Sequence, residues 1–433
     1  MMKTNLKLAA EVVRKLRRQG FQAYFVGGCV RDMLMRKSPK DIDIATSARV
    51  EQIEKVFPQK TYPLGAQFGT LVVLKENIPF QVTSFRIRRS KYAKGLEQDI
   101  ASRDFTVNAL VYDPFSKEII DLVGARRDIA NKRIRSVGPP AGTFKADPLR
   151  LIRALRFAVT LEFRIEDKTL RAIKKLSVLI KRMSRERIRD ELTMILTSAN
   201  PYRGLELLDQ TRLLKHILPE VEKTKGVEQP PEFHPEGDVF THTRLMFKYV
   251  KNPSLTLAFS ALLHDIGKPQ TFERAERIRF SGHDRVGARM AEKLLRQLRF
   301  SNKDRERIVS CIENHMGIME APNMRTATLR RLLARPTFKE ELELHRIDCL
   351  ASHSDLKVWR FLRKKYGQYK KTPQIPKPFL NGHELIKIGF TPGPIFGKIL
   401  KAMVDLQMEG KLKTPVQAKK WLIANFKKEK VNV

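Results

Sequence analysis

The stretch KSPKDIDIATSA, Lys37 to Ala48, sets two aspartates two residues apart inside an apolar run. Read as a strand, it sends residues i and i+2 to the same face. Asp41 and Asp43 then point together while Ile42 and Ile44 pack on the other side. Neighbouring carboxylates repel unless a cation lies between them. Oxygen ligands of this kind suit Mg²⁺, whose coordination sphere substrate phosphates complete. Metals so held activate an attacking hydroxyl and stabilise a departing pyrophosphate. The plainer reading has one aspartate capping a turn and the other solvated, and the D-x-D alone leaves both open.

Upstream lies FVGGCVRDML, Phe25 to Leu34. Gly27 and Gly28 end a strand directly before a helix, where bare backbone N–H groups can approach a triphosphate. Arg31 and Asp32 follow one turn into that helix. Leu6, Ala9, Val13 and Leu16 recur at helical spacing and Gly20 supplies a stop, so a helix is expected over Leu6 to Gln19. GTLVVL, PFQVTSF and NALVYD are further strand candidates, with VEQIEKVF a helix between them. After Pro148 long helical patterns take over and no strand is expected. The predicted fold class is α+β: a small N-terminal α/β head with a mixed sheet, followed by an extended all-α body. Breaks in texture suggest segments 1–125, 126–222, 223–370 and 371–433.

Composition narrows the function classes. The 433 residues exceed one ordinary core, and 42% apolar content with 22 glycines excludes a disordered chain. Lys plus Arg is 84 against 47 Asp plus Glu, a formal charge of +37. That surplus attracts polyanions, nucleic acid before an anionic membrane. No apolar run reaches the roughly 18 residues a spanning helix needs, and MMKTNLKLAA lacks the form of a signal peptide. Cys29, Cys311 and Cys349 fit neither a disulfide framework nor a zinc ribbon. A reduced, cytoplasmic protein with no membrane partner is expected.

The Gly-Gly-x-x-Arg-Asp followed by D-x-D resembles the nucleotidyltransferase core shared by tRNA CCA-adding enzymes and bacterial poly(A) polymerases, the class II branch of that superfamily. SRDFTVNAL, Ser102 to Leu110, looks like the family's R-R-D-F-T-x-N-A motif, with Arg103, Asp104 and Asn108 matching and Ser102 in place of the first arginine. ADPLRLIRALRF, Ala146 to Phe157, resembles E-D-x-x-R and the arginine-rich helix after it. Asp147 and Arg150 match, Ala146 replaces the usual glutamate, and Arg153 and Arg156 follow. RERIRDELTMIL and LLKHILPE are similar to the helical neck. The resemblance implies an Mg²⁺-dependent enzyme that adds C and A from CTP and ATP to the tRNA 3′ end without a template. It implies metal held by Asp41 and Asp43, and nucleotide held by Gly27, Gly28, Arg31, Arg103, Asp104, Asn108, Asp147, Arg150, Arg153 and Arg156.

Cytosine and adenine each carry an amine beside a ring-nitrogen acceptor. An aspartate accepts from the amine while an arginine donates to the ring. Asp147 and Arg150, three apart on a helix, would share a face for that purpose, unless they form only an i,i+3 surface ion pair. Between Arg86 and Arg103 lie only the residues IRRSKYAKGLEQDIAS, shorter than in relatives that complete CCA, so a CC-adding specialist is an alternative, as is a poly(A) polymerase. From Arg150 to Arg189 there are thirteen Lys/Arg and four Asp/Glu, a run suited to RNA phosphates or merely to solvent. Farther on, His242, the His264-Asp265 pair and Asp348 match the H…HD…D pattern of HD-domain phosphohydrolases. His283 and His315 lie where some HD proteins place extra ligands. Packed or hydrogen-bonded histidines are the plainer reading. Imidazoles with carboxylates suit Mn, Ni, Fe or Mg rather than structural zinc, and the resemblance implies phosphatase or 2′,3′-cyclic phosphodiesterase activity. The Pro-rich KKTPQIPKPF connector opens a basic helical tail.

Overall fold

The first helix, α1 (Met2–Arg18), buries Leu8, Ala9, Val12, Val13 and Leu16 on one side and ends before Gly20 at φ 82°. This computed structural model describes residues 2–39, 41–63, 69–88, 91–370 and 375–426. The chain divides into two units, Met1–Pro219 and Glu220–Val433.

In the first unit α1 leads to β1 (Ala23–Val26), α2 (Gly28–Leu34), β2 (Asp43–Thr46) and α3 (Val50–Val56). Next come β3 (Thr61–Pro63), β4 (Thr70–Lys75), β5 (Ile78–Ser84), β6 (Arg86–Arg88), β7 (Lys91–Tyr92), α4 (Leu96–Ser102), β8 (Val111–Tyr112) and β9 (Ile119–Ile120). Seven strands form one mixed sheet in the order β3-β4-β5-β2-β1-β8-β9. The β2–β5 pairing is parallel and the others are antiparallel. β2 is a central strand whose Ile44, Ala45 and Thr46 are all buried, which explains its unbroken apolar run. Val26 pairs with Asp43 on one side and Val111 on the other, so the Gly27 turn, the first residue of β2 and the segment before β8 converge at one edge.

The helical remainder of this unit is α5 (Ala125–Ala130), α6 (Pro140–Ala146), α7 (Leu149–Thr160), α8 (Asp167–Leu176), α9 (Arg185–Leu196) and α10 (Pro201–Gln210). Contrary to expectation a strand does follow Pro148. Arg164–Ile165 pairs in parallel with Arg133–Ile134. A two-residue ladder is too short to show alternation in a sequence.

α11 (Leu214–Ile217) closes the first unit; from α12 (Pro219–Glu222) onward the second contributes α13 (Val239–Met246), α14 (Leu255–Leu263), α15 (His283–Gln297) and α16 (Asn302–Asn314). After them run α17 (Thr326–Leu333), α18 (Phe338–Ala351), α19 (Lys357–Tyr369), α20 (Gly382–Lys387), α21 (Pro394–Met408) and α22 (Pro415–Asn425). A small hairpin, Glu273–Arg274 with Ile278–Arg279, is a second departure from the all-α expectation. α14 is buried from Thr256 to Leu263, a central helix that ends on His264. A Cβ on Gly267 would lie 2.2 Å from His283 O and 2.6 Å from Gly287 N, so only glycine lets the turn after His264 press on the start of α15. The tail beyond 374 folds into three helices around Leu385, Ile399, Met403 and Leu422, and its last residues, 427–433, lie outside the described ones. No helix among the described residues is long and apolar enough to cross a membrane.

Candidate functional site

At the edge where β1, β2 and the segment before β8 meet, the first unit holds a cavity of about 460 Å³. Gly27, Gly28, Arg31, Asp43, Arg103, Asp104 and Asn108 line it from the head. Asp147, Arg150, Arg153 and Arg156 line it from the helices. Every expected nucleotide-binding residue is therefore present in one place. Gly27 has φ 76° and ψ −130°, a conformation L side chains avoid, and its N–H donates to Leu110 O at 3.0 Å. Arg31 is held on both sides. Its Nε and Nη2 donate to Asp32 Oδ1 (2.9 and 2.8 Å), and its Nη1 to Asn108 Oδ1 (2.6 Å). Arg103 donates to Asp99 Oδ2 and, through Nη1, to Asn108 O.

Asp43 faces the cavity but Asp41 does not sit on the strand as expected. β1 gives way to the Gly27 turn after Val26, so the ladder has no partner for residue 41 and β2 begins at Asp43. Asp41 stands exposed just before it. Burial, and then the Asp41 charge, raise the Asp43 carboxyl above the usual aspartate range, against Arg103. Among the described residues no side chain hydrogen-bonds or ion-pairs with that carboxylate. An unsatisfied acid beside a second acid is the donor set that a hard cation fits.

The base-selecting pair also needs correction. Asp147 and Arg150 do not share a helix face, because Pro148 drives the preceding residue to extended backbone. Asp147 has φ −144° and ψ 98° between α6 and α7, and its Oδ1 accepts from Leu149 N–H at 3.2 Å. Both residues still reach the cavity. Arg150 Nη2 donates to Ser102 O at 2.7 Å, so the residue in place of the family's first arginine contributes its backbone.

Behind them lies a network of paired charges. Arg153 donates to Asp104 Oδ2 through Nε and Nη2 (2.9 and 2.7 Å), and Arg156 Nε donates to Glu191 Oε2 at 2.6 Å. Burial pushes the Asp104 carboxyl up, but the charge and hydrogen bonds of Arg153 outweigh it and hold it below the usual range. Glu191 and Arg187 from α9 and Phe157 from α7 were not anticipated. Arg187 lies 3.8 Å from Asp147 Oδ2, and Phe157 lies 3.9 Å from the Arg156 guanidinium. Nothing local in the sequence marks Glu191 and Arg187, since α9 reaches the site only through its packing on α7.

The second unit gathers the other expected residues. His242 Nε2 lies 3.0 Å from Asp348 Oδ1, His264 Nε2 3.0 Å from Asp265 Oδ2, and His283 Nε2 3.4 Å from Asp265 Oδ1. His283 and His315 approach at 3.3 Å through their Nε2 atoms. His264, His283 and His315 place Nδ1 against Ala261 O, Phe280 O and Ile312 O at 3.0, 2.9 and 2.6 Å. Each Nδ1 is thus a donor and each Nε2 lone pair turns inward, as metal ligation requires. Burial, then the His264 charge, push His315 down to about 4 and keep it neutral. His242 Nε2 and Asp265 Oδ2 are buried without hydrogen-bond geometry. The sets His242/His264/Asp265 and Asp265/His283/His315 are each close enough to hold an ion. Most of these residues line a cavity of about 600 Å³. Glu236 and His234, missed in the sequence, adjoin it. Glu236 Oε1 lies 2.5 Å from His242 Nδ1 and 2.9 Å from His234 Nδ1. Burial pushes the Glu236 carboxyl up, but these two bonds prevail and hold it at about 2.

Comparison with known proteins identifies domains in both units. Residues 23–135 match the poly A polymerase head domain, 162–224 the family described as "Probable RNA and SrmB- binding site of polymerase A", and 238–352 the HD domain. An A-adding tRNA nucleotidyltransferase of Deinococcus radiodurans is 31% identical over 424 residues, covering 92% of this chain and 94% of that one. A CCA-adding enzyme of Enterococcus faecalis is 41% identical over 220 residues, 48% of this chain. That alignment spans 54% of the relative, about half its length. The fold is that of the Bacillus stearothermophilus CCA-adding enzyme solved with CTP, at TM-score 0.72 and 24% identity over 96% of this chain and 97% of that one. The chain belongs to the class II tRNA nucleotidyltransferase and poly(A) polymerase family, in a form that carries an HD domain.

Proposed function

We propose that the chain adds C and A nucleotides to the 3′ end of tRNA from CTP and ATP, choosing them without a template. The tRNA 3′-oxygen attacks the α-phosphorus, the bond to the β-phosphate bridging oxygen breaks, pyrophosphate leaves, and the hydroxyl proton passes to solvent. Asp43, with Asp41 beside it, would hold Mg²⁺, which when bound would neutralise triphosphate charge. The Gly27-Gly28 turn presents backbone N–H groups to the phosphates, and Arg31, braced by Asp32 and Asn108, adds a fixed positive charge. Arg103 holds the turn in place through Asn108 O. Asp147 accepts from the base amine while Arg150 donates to the ring nitrogen. Uracil and guanine would set a carbonyl against the carboxylate, a mismatch of about 1–3 kcal/mol per buried group. Arg153 and Arg156, anchored by Asp104 and Glu191, complete the nucleotide pocket.

The observation that carries this reading is the Val26–Asp43 register, which sets an unsatisfied carboxylate beside the glycine turn in a cavity that Asp147 and Arg150 also line. Labelled CTP and ATP, separately and together, offered with tRNA that ends before its tail, test it. Products three nucleotides longer with both support it, and no incorporation refutes it. A second reading, addition of the terminal A alone, is favoured by the Deinococcus relative, which aligns over 92% of the chain. tRNA already ending in CC, given only ATP, separates the two. Long products on unstructured RNA would instead mean a poly(A) polymerase.

The HD domain is proposed to hold a divalent ion, Mn, Ni, Fe or Mg, on His242, His264, Asp265 and Asp348. Such an ion would supply a Lewis acid for phosphate-ester hydrolysis. The ligand atoms of His242, His264 and Asp265, all within 4.8 Å of one another, support the fit. A tRNA-processing role places the chain in the cytoplasm.

A further inference from the structure

We propose that the outward face of α19 is a docking surface for the phosphate backbone of folded RNA. The proposal rests on the transferase reading for its choice of RNA and deepens that reading. From Lys357 to Lys370 the chain carries Lys357, Arg360, Arg363, Lys364, Lys365 and Lys370, and no Asp or Glu. At about 100° per residue, Val358, Trp359, Leu362, Tyr366 and Tyr369 gather on one side. Leu362 is fully buried, and the other four pack half-buried against a cluster containing Ile318, Leu333 and Phe338. Lys357, Arg360 and Lys364 occupy the opposite arc, Arg363 and Lys370 flank it on the side of Trp359, and all five are exposed. The helix is therefore fixed by its apolar side and presents a basic face about 10 Å long from Lys357 to Lys364, with Lys370 beyond it.

Elsewhere in the same unit a cation with a structural task meets a carboxylate. Arg331 bonds Asp405 at 2.7 Å, Arg305 bonds Glu292 at 3.1 Å, and Arg307 bonds Glu340 at 2.8 Å. Among the described residues Arg360, Arg363, Lys364 and Lys370 meet none. Lys357 has only the exposed Asp355 at 3.4 Å. Arg363 and Lys370 rest instead over the rings of Trp359 and Tyr366, 5.1 and 5.0 Å from their centroids. Four cations held together without counter-charge repel one another, and phosphates relieve that repulsion. An interfacial membrane helix needs its apolar face free to insert, whereas this face is already occupied by the core. RNA duplexes are read by shape, through phosphates and 2′-hydroxyls, so a basic strip lacking a sequence-reading element suits them.

The test uses the full chain and a tRNA transcript lacking its 3′ tail. Binding is measured across a salt series for the parent, for the triple variant Arg360→Gln, Arg363→Gln, Lys364→Gln, and for a control of equal charge, Lys293→Gln, Lys303→Gln, Lys339→Gln. If the face docks RNA, the slope of log Kobs against log salt falls by about 2.7 in the triple variant, at about 0.9 per lost phosphate contact. The KM for tRNA rises about tenfold or more and that for CTP stays unchanged. Single variants at Arg360 and Lys364 each carry about a third of the change and keep the test valid should the triple variant fold poorly. Equal slopes in parent and triple variant overturn the proposal, as does an equal loss in the control. Loss of binding only to vesicles of phosphatidylserine and phosphatidylcholine, with tRNA binding intact, also overturns it. A parent that binds tRNA with the predicted slope change but incorporates no nucleotide would sink the transferase reading and leave the surface standing.

Discussion

Glu191→Ala isolates the charge network behind the nucleotide cavity. The Glu191 side chain is 6% exposed, takes Arg156 Nε at 2.6 Å, and lies 3.4 Å from Arg153 Nη1. Arg153 keeps Asp104 at 2.7 Å when Glu191 is lost. Arg156, 15% exposed, is left with a buried positive charge and no carboxylate in contact. Removing one partner of a buried pair costs about 3–5 kcal/mol. The partial exposure of Arg156 puts the expected loss at the lower end, about 3 kcal/mol. For a unit of this size each kcal/mol moves Tm by about 2–4 °C, so a drop of about 6–12 °C is expected by circular dichroism. Replacing both partners, Glu191→Leu with Arg156→Leu, removes the orphaned charge and should recover most of that drop. A loss below about 1 kcal/mol in Glu191→Ala, or simple additivity in the double variant, would refute the claim that this ion pair is buried and coupled.

Gly27→Ala forces a side chain into φ 76°. About 1–3 kcal/mol of strain should appear as a lower Tm together with a raised KM for CTP, and a neutral substitution would contradict the glycine requirement. Glu236→Gln weakens the bond that fixes His242 Nδ1, so calorimetry on metal-stripped protein should show Mn²⁺ affinity down by about 10–100-fold. CTP incorporation should be untouched. Asp104 has its carboxyl held below the ordinary value of 3.8, so its pairing with Arg153 contributes stability above that pH and loses it as pH falls through the depressed value. Acid unfolding of Asp104→Asn should accordingly be flatter below pH 4 than that of the parent.

The head was legible because its signals are local. The glycine turn, the D-x-D and the alternation in Thr70–Lys75 and Ile78–Ser84 each act within a few residues. What the sequence obscured was geometry set by neighbours. Asp41 and Asp43 look equivalent in KDIDIAT, yet the turn at Gly27 ends the ladder and leaves Asp41 off the strand. Asp147 and Arg150 look like one helix face until Pro148 is taken seriously. Glu191, Arg187 and Glu236 were invisible because helix packing or a loop carries them to their partners. The histidines were found by pattern, but the backbone carbonyls that choose their tautomers could be seen only in the folded chain.

The most direct trial of the whole account is single-turnover extension of tail-less tRNA by radiolabelled CTP with Mg²⁺, comparing the parent with Asp43→Asn. The account predicts a parent that extends the RNA and a variant that keeps its fold but is slower by on the order of 10³-fold. A variant extending at the parental rate would show that the carboxylate beside the glycine turn does not serve the chemistry.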